Sequence, residues 1–323
     1  MMPASRATDE LAAAIEAQAA WNPFAARTYR AAMAENGYDA WILADDDPQS
    51  PLRHGCYAFI RRGRLNTDLT IVSLPRVERD GAFWTSLRAL CRAERVTRLE
   101  IGSFASPEGT EVPPFGDREV RRSRHEFVLD LSTDPDEVMS PRHRRNARRA
   151  AAAGVSVVRT RGAEAASTHQ ELMQHSLARR AERGEHVPDV HAHERAALLA
   201  TGSGELFQAV REGVVLSSVL VLRAERGGYS QSAGTSSEGM ALGASHFLQR
   251  EIARQLRAEG ALTYGLGGAD PNSSLAEFKA LFGATAHALP HVQCSLGTRL
   301  TRAANGMATL WRDARSAVGV PIQ

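Results

Sequence analysis

The stretch TYGLGGADPNSSLAEFKALFG, residues 263–283, decides how the chain is read. Leu262, Tyr264 and Leu266 alternate as a half-buried strand requires. Gly267 and Gly268 follow, and both tolerate close approaches that a Cβ forbids. Asp270-Pro271-Asn272-Ser273 reads as a turn. Ser274, with Glu277 three residues on, reads as a capping box that opens a helix. Leu275, Phe278, Leu281 and Phe282 recur at helical spacing and mark the expected buried face, with Gly283 as the stop. Lys279 falls on the flank of that face, about 100° round from Phe278. It is the single lysine among 39 Lys and Arg residues. A compact ammonium in a chain that otherwise uses planar guanidinium forks is a candidate functional cation, the alternative being an incidental surface lysine.

Outward from this stretch, 323 residues are enough for two domains with developed cores. A formal charge of +2 excludes strong whole-molecule attraction to nucleic acid, so any such binding needs a local patch. Cys56, Cys91 and Cys294 form no C-x-x-C pair, which excludes the zinc and disulfide-framework classes, and no metal is expected. The N-terminus is Ala-rich but broken by Asp9, Glu10 and Glu16, and no apolar run is long enough to span a bilayer. The cytoplasm is therefore the expected location.

Apolar alternation predicts strands over 38–44, 54–60, 68–74, 96–103, 127–131, 155–158, 205–211, 214–223, 228–234 and 287–296. Helical patterns fall at 23–36, 81–95, 141–153, 165–183, 191–201, 244–258 and 298–316. This alternation predicts an α/β fold with a mixed sheet flanked by helices in each half. RAERVTRLEIGSFASP (92–107) and RAEGALTYGLGGADP (257–271) echo each other, as two loosely related copies of one unit would. Asp45-Asp46-Asp47 lacks calcium-loop spacing and reads as a solvated turn. His186, Asp189, His191 and His193 read as a polar loop with no supporting metal pattern. The 141–153 helix carries Arg142, Arg144, Arg145, Arg148 and Arg149 around more than one face. It is a candidate phosphate contact, against a helix exposed on most sides.

Phe278-Lys279-Ala280-Leu281-Phe282-Gly283, after the Gly267-Gly268 pair, resembles the F-K-x-x-F-G signature of the Fem family of peptidoglycan-bridge aminoacyltransferases. EFVLDLSTDPDEVMSPRHRRNARRAAAAGVSVV (126–158) is similar to that family's entry into its second domain. The resemblance covers roughly residues 125–296 and implies two tandem GNAT-like domains. Residues 1–125 would be a degenerate first domain, 126–297 the catalytic one, and 298–323 a C-terminal helix. It implies transfer of an aminoacyl group from a charged tRNA to an amine acceptor, a peptidoglycan precursor or a small-molecule amine, with no separate cofactor. Lys279 would then stabilise the tetrahedral intermediate. Phe278, Gly267, Gly268 and Asp270 would line the substrate, and Arg183, Arg145 and Arg149 would contact phosphates.

Two other readings stand beside this one. The first is a GNAT N-acyltransferase that takes acyl-CoA, whose pyrophosphate loop would fall on Ser236-Ser237-Glu238-Gly239-Met240-Ala241. Ser replaces the usual Gln or Arg there, and Glu238 brings negative charge to the phosphates. The second is a non-catalytic RNA- or nucleotide-binding protein on the same fold. Neither the acyl group, the amine nor the oligomeric state, monomer or dimer, is fixed by sequence.

Overall fold

A computed structural model describes residues 4–44, 55–79, 81–107, 109–116, 118–182 and 192–297. The first half runs β1 (Ala4–Arg6), α1 (Asp9–Gln18), a 3-10 turn (Pro23–Ala25), α2 (Arg27–Glu35), β2 (Asp39–Leu43), β3 (Cys56–Arg62), β4 (Thr67–Ile71), α3 (Ala82–Ala93) and β5 (Arg98–Ile101). A long strand, β6 (Glu119–Asp130), leads into the second half. There follow α4 (Pro135–Val138), α5 (Pro141–Ala152), β7 (Ser156–Thr160), α6 (Ala163–Glu182), α7 (Ala192–Ala200), β8 (Gly204–Arg211), β9 (Val214–Ala224) and β10 (Gly227–Thr235). The chain continues through α8 (Ser237–Leu242), α9 (Ala244–Ala258), β11 (Thr263–Gly268), α10 (Ser274–Ala280) and β12 (Thr285–Ser295).

The strands form one mixed sheet of order β1-β2-β3-β4-β5-β12-β6-β11-β10-β9-β8-β7. In each half a helix joins two parallel strands, α3 between β4 and β5, and α8–α9 between β10 and β11. The fold is therefore α/β, with two tandem GNAT-like units. Their closing strands are exchanged. β6 leaves the first half and pairs with β11 of the second, whereas β12 leaves the second and pairs with β5 of the first. Where they meet, β6 and β12 run antiparallel over Glu119–Val128 and Thr285–Cys294. Residue 125, the expected domain boundary, thus lies inside one continuous strand.

Three apolar clusters hold the sheet. One packs α5 and α9 on β8–β11 through Phe207, Val219, Leu248, Ile252 and Tyr264. A second packs α3 on the first half through Phe83, Trp84 and Leu87, and takes in Val292 and Cys294 of β12. The third joins the halves, with Ile15, Phe24 and Tyr29 against Leu198, Leu206, Leu220 and Tyr229. β9 reads as a near-continuous apolar run because Val219 and Val221 face α9 while Leu220 and Leu222 face the third cluster.

The predicted strands are present, with shifted ends. β6 starts at Glu119 instead of 127, and β12 at Thr285 instead of 287. The 23–36 helix is interrupted at Ala26, which accepts no helical continuation from the 3-10 turn that Asn22 caps through its Oδ1. The 45–47 carboxylates, Arg183, the 186–191 loop and the expected helix at 298–323 lie outside the described residues. Among the described residues no helix is long and apolar enough to cross a membrane.

Candidate active site

β10 and β11 are paired only over Gly227–Tyr229 and Thr263–Gly265. Beyond those residues each strand is irregular. β10 shifts register on β9 between Ser230 and Ser232, and β11 shifts on β6 between Gly265 and Gly268. Two parallel strands that stop sharing hydrogen bonds leave an opening at their carboxyl ends, the usual place for ligands in α/β sheets. The turn after β11 folds α10 back over this opening.

Lys279 is buried there, at 7% exposure, and its Nζ donates to the Gly268 carbonyl at 2.8 Å. Gly267 has φ of 76°, which favours glycine. A Cβ on it would lie 3.2 Å from Ser230 O, 3.7 Å from Lys279 Nζ and 3.8 Å from Tyr229 Oη. The ammonium, the phenol and the end of paired β10 therefore converge on one glycine. Burial brings the Lys279 pKa down to about 7; Arg124 and Arg180 push the same way and Glu126 opposes them. Lys279 thus changes charge within the physiological range.

Glu126, 1% exposed, anchors the surrounding network. Its Oε1 accepts from Arg124 Nε at 2.9 Å and from Tyr229 Oη at 2.6 Å, and its Oε2 accepts from the Ala105 N–H at 2.9 Å. Arg124 also donates to Tyr229 Oη at 3.2 Å and stacks over Phe104 at 3.9 Å. Burial and the Glu126 charge hold the Tyr229 pKa well above its ordinary value, so the phenol keeps its proton. Sequence reasoning missed Arg124, Glu126 and Tyr229. The available signal was that Phe127 and Leu129 share one face of β6, which sends residues 124 and 126 to the other.

The residues read from sequence separate into groups. Gly267 and Gly268 lie against Lys279 and Arg124, a Cβ on Gly268 meeting the Arg124 guanidinium at 2.9 Å. Asp270 is exposed and shapes its own turn, its Oδ1 accepting from Asn272 N and its carbonyl from Ser273 Oγ. The α10 cap is Ser273, one residue before the expected Ser274, because Ser273 Oγ takes the Ala276 N–H. The helix packs with Ala276, Lys279 and Phe282 buried and with Leu275, Phe278 and Leu281 only partly so. Lys279 points inward and not along the flank. Phe278 packs in a ring cluster with His143, His246 and Phe282, and its carbonyl lies 3.1 Å from His143 Nε2.

On α5, the Ser140 cap and Pro141 fix a helix whose buried side is His143, Ala147 and Ala150. Arg142, Arg145, Arg148 and Arg149 form a solvated arc after all, while Arg144 turns back to the carbonyls of Asp136 and Met139. Arg149 Nε donates to Leu242 O at 3.3 Å, placing this arc beside the α8–α9 junction. There residues 237–242 are helical, Ser236 Oγ occupies the Gly239 N–H, and Glu238 faces solvent near Arg211. Nearby His246 is held neutral, its pKa pushed down to about 4 by burial and then by His143 and Arg149.

Residues 140–280 match a family described as acetyltransferase (GNAT) domain. No curated protein sequence matches the chain. Among solved structures, a protein described as FemX is similar over 90% of this chain and 97% of its own, with a TM-score of 0.65 and 16% identity. The C-terminal domain of a lysylphosphatidylglycerol synthetase from Agrobacterium fabrum aligns over 93% and 96%, at 0.52 and 12%. A tandem GNAT protein from the clavulanic acid biosynthesis pathway aligns over 91% and 99%, at 0.51 and 14%. At such identities these likenesses establish the fold alone, a tandem GNAT-like architecture.

Proposed function

We propose that the chain is an N-acyltransferase that moves an aminoacyl group from the ribose ester of a charged tRNA to a primary amine. The observation that carries this reading is Lys279, an ammonium buried where β10 and β11 part, with donors beyond the one spent on Gly268 O. An ester is already activated, so the protein must hold the amine near the carbonyl and stabilise the oxyanion. The amine nitrogen bonds to the carbonyl carbon and gives up a proton. The carbon–oxygen ester bond then breaks, and the ribose oxygen leaves with a proton. Lys279 donates to the oxyanion or to that leaving oxygen. Gly267 and Gly268 keep the wall free of side chains, the exposed arc of Arg145 and Arg149 contacts tRNA phosphates, and Arg183 would contact the phosphates of a precursor acceptor. The helical 237–242 segment, with the Gly239 N–H taken by Ser236 Oγ and Glu238 at the surface, disfavours the pyrophosphate of an acyl-CoA.

Lys279→Met should leave folding intact, because an apolar chain of similar length replaces a buried charge. Amide formation should fall by about two to three powers of ten, as for loss of one oxyanion donor. Lys279→Arg, wider and planar, should recover only part of the rate. In the wild type the ammonium is lost as pH rises through about 7, so the chemical step should slow above that point. The assay follows mass shifts of mixed amines with charged tRNA in one arm and acetyl-CoA in the other. Turnover with acetyl-CoA alone would replace tRNA by CoA as donor. Both variants at wild-type rate would remove Lys279 from the chemistry.

A further inference from the structure

On the face of the sheet opposite α9, the two halves enclose a cavity of about 190 Å³ that neither the fold nor the amide-forming step has used. Its lid comes from the first half, Trp21, Pro23 and the loop Ala105–Pro107. Its floor is β6, β10, β11 and β12, including Glu126, Val128, Tyr229, Thr263 and His287. Most of this lining is apolar. Among the described residues that line it Glu126 is the one Asp, Glu, Lys or Arg, and three donors already hold its carboxylate in place. An ionised carboxylate offers about four lone-pair positions, so one acceptor position remains. Glu126 also hydrogen-bonds Tyr229, whose Oη lies beside Gly267 and Lys279. The cavity therefore opens on the same network as the parted strands.

We propose that this cavity binds a primary ammonium carried on a compact apolar body, with Glu126 accepting its hydrogen bond. The volume decides the size class. Sites for drug-sized ligands run from about 300 Å³ upward, so a smaller cavity fits an amino-acid-sized group and excludes a nucleotide-linked precursor as a whole. The remaining carboxylate position can only accept, so it suits an ammonium donor and offers an anion nothing, while the Arg124 guanidinium already pairs with Oε1. Such an ammonium has two sources in the reaction proposed above, the acceptor amine and the α-amino group of the transferred residue. The inference rests on that reading only for its purpose; occupancy of the cavity is testable without turnover.

The test is calorimetric titration of the full chain, without tRNA, with small branched or aromatic primary amines, amino-acid methyl esters and the matching alcohols. Amines or esters should bind and alcohols should bind at least tenfold more weakly. Val128→Phe, which fills the cavity, should abolish binding while leaving the thermal melt within a few degrees. Glu126→Gln, which keeps the shape and removes the charge, should weaken binding at least tenfold. Equal binding of amines and alcohols, no binding of any probe, or wild-type binding by Val128→Phe would overturn the proposal. If turnover is found, Glu126→Gln separates the sources. A rise in KM for the amine alone assigns the cavity to the acceptor, and a rise for the charged tRNA alone assigns it to the aminoacyl group. Unchanged KM for both would again overturn it. Amine binding in a protein that forms no amide with any donor would sink the transferase reading and leave the cavity assignment standing.

Discussion

The two halves treat the same pair of parallel strands in opposite ways. In the first, β5 stays hydrogen-bonded to β4 beyond the strand ends, with Gly102 N donating to Ile71 O at 2.7 Å and Phe104 N to Val72 O at 3.1 Å. In the second, β11 leaves β10 after Gly265, and the gap receives Lys279. The loop that follows β5 is also redirected. Phe104 packs on Phe24 and Tyr229, and the Ala105 N–H fixes Glu126. One copy of the repeated unit has thus been sealed and become a wall for the other copy's opening. The exchange of β6 and β12 makes this arrangement permanent, since each half is completed by the other's last strand.

The harshest test of that interdependence is to end the chain after Ala284. β12 carries Val292 and Cys294 into the first half's core and covers the edges of both β5 and β6. The expected outcome is loss of hydrogen-exchange protection in β4 and β5, although they lie more than 180 residues upstream of the cut. If β4 and β5 keep full protection, the first half is complete without β12 and the exchange is only geometric.

A smaller effect separates the sealed pair from the open one. Gly267→Ala forces a Cβ onto a backbone with φ of 76° and crowds Ser230 O at 3.2 Å. It should cost about 1–2 kcal/mol of stability and at least tenfold in kcat/KM. Gly102→Ala meets Val72 O at 2.9 Å in the sealed pair. It should destabilise by about 1–3 kcal/mol but leave kcat/KM of the folded protein unchanged. Urea melts and kinetics on both variants read this out. A matching loss of rate in Gly102→Ala would mean that the sealed pair takes part in the chemistry.

Much of this asymmetry was legible in the residues. The echo of 92–107 in 257–271 announced two units, and F-K-x-x-F-G in only the second announced which one carries the lysine. Strands buried on both faces, such as β9, were found because apolar runs mark them whatever their register. The first half of β6 was missed because Glu119–His125 has no apolar alternation. It lies between the units, where partner strands and not a core define it. The inward direction of Lys279 was missed because the apolar positions Leu275, Phe278, Leu281 and Phe282 set the expected face, whereas the face that packs is Ala276, Lys279 and Phe282. Glu126 and Tyr229, 103 residues apart in sequence, meet only through the sheet order.

The second half also pins its irregular strand with polar groups where the first half's core is apolar. His169 of α6 lies within hydrogen-bond distance of Ser218 Oγ and Ser232 Oγ, 2.9 Å from each, at the β10 irregularity. Burial, and then Arg195, lowers its pKa to about 4. The unfolded imidazole titrates near 6.5, so between those values the unfolded state binds the extra proton. Stability is therefore fully present above about pH 6.5 and is lost as pH falls toward 4, by up to about 3 kcal/mol for this one group. His169→Gln should lower Tm at neutral pH and flatten its decline in acid. An unchanged acid slope would show that His169 does not carry the proton.

The smallest effect concerns the cationic arc that only the second half presents beside its open strands. Arg145 and Arg149 lie one turn apart on the solvent side of α5, whereas the first-half crossover helix α3, the counterpart of α8–α9, offers Arg92 as its fully exposed arginine. A polyanion held at the open pair should engage α5 and not α3. Each phosphate contact releases condensed counterions, so removing one reduces the log–log dependence of affinity on salt by about 0.7–0.9. Reversing both charges, Arg145→Glu with Arg149→Glu, should therefore weaken tRNA binding and flatten that slope by nearly two contacts. Arg92→Glu makes a single charge reversal of the same kind far from the opening, and it should lower affinity slightly with the slope unchanged. Because the overall charge is only +2, a general field effect is too small to mimic a contact. Equal slopes in the α5 double variant and the wild type would return this arc to ordinary solvated surface, and the donor would then have to be held elsewhere on the second half.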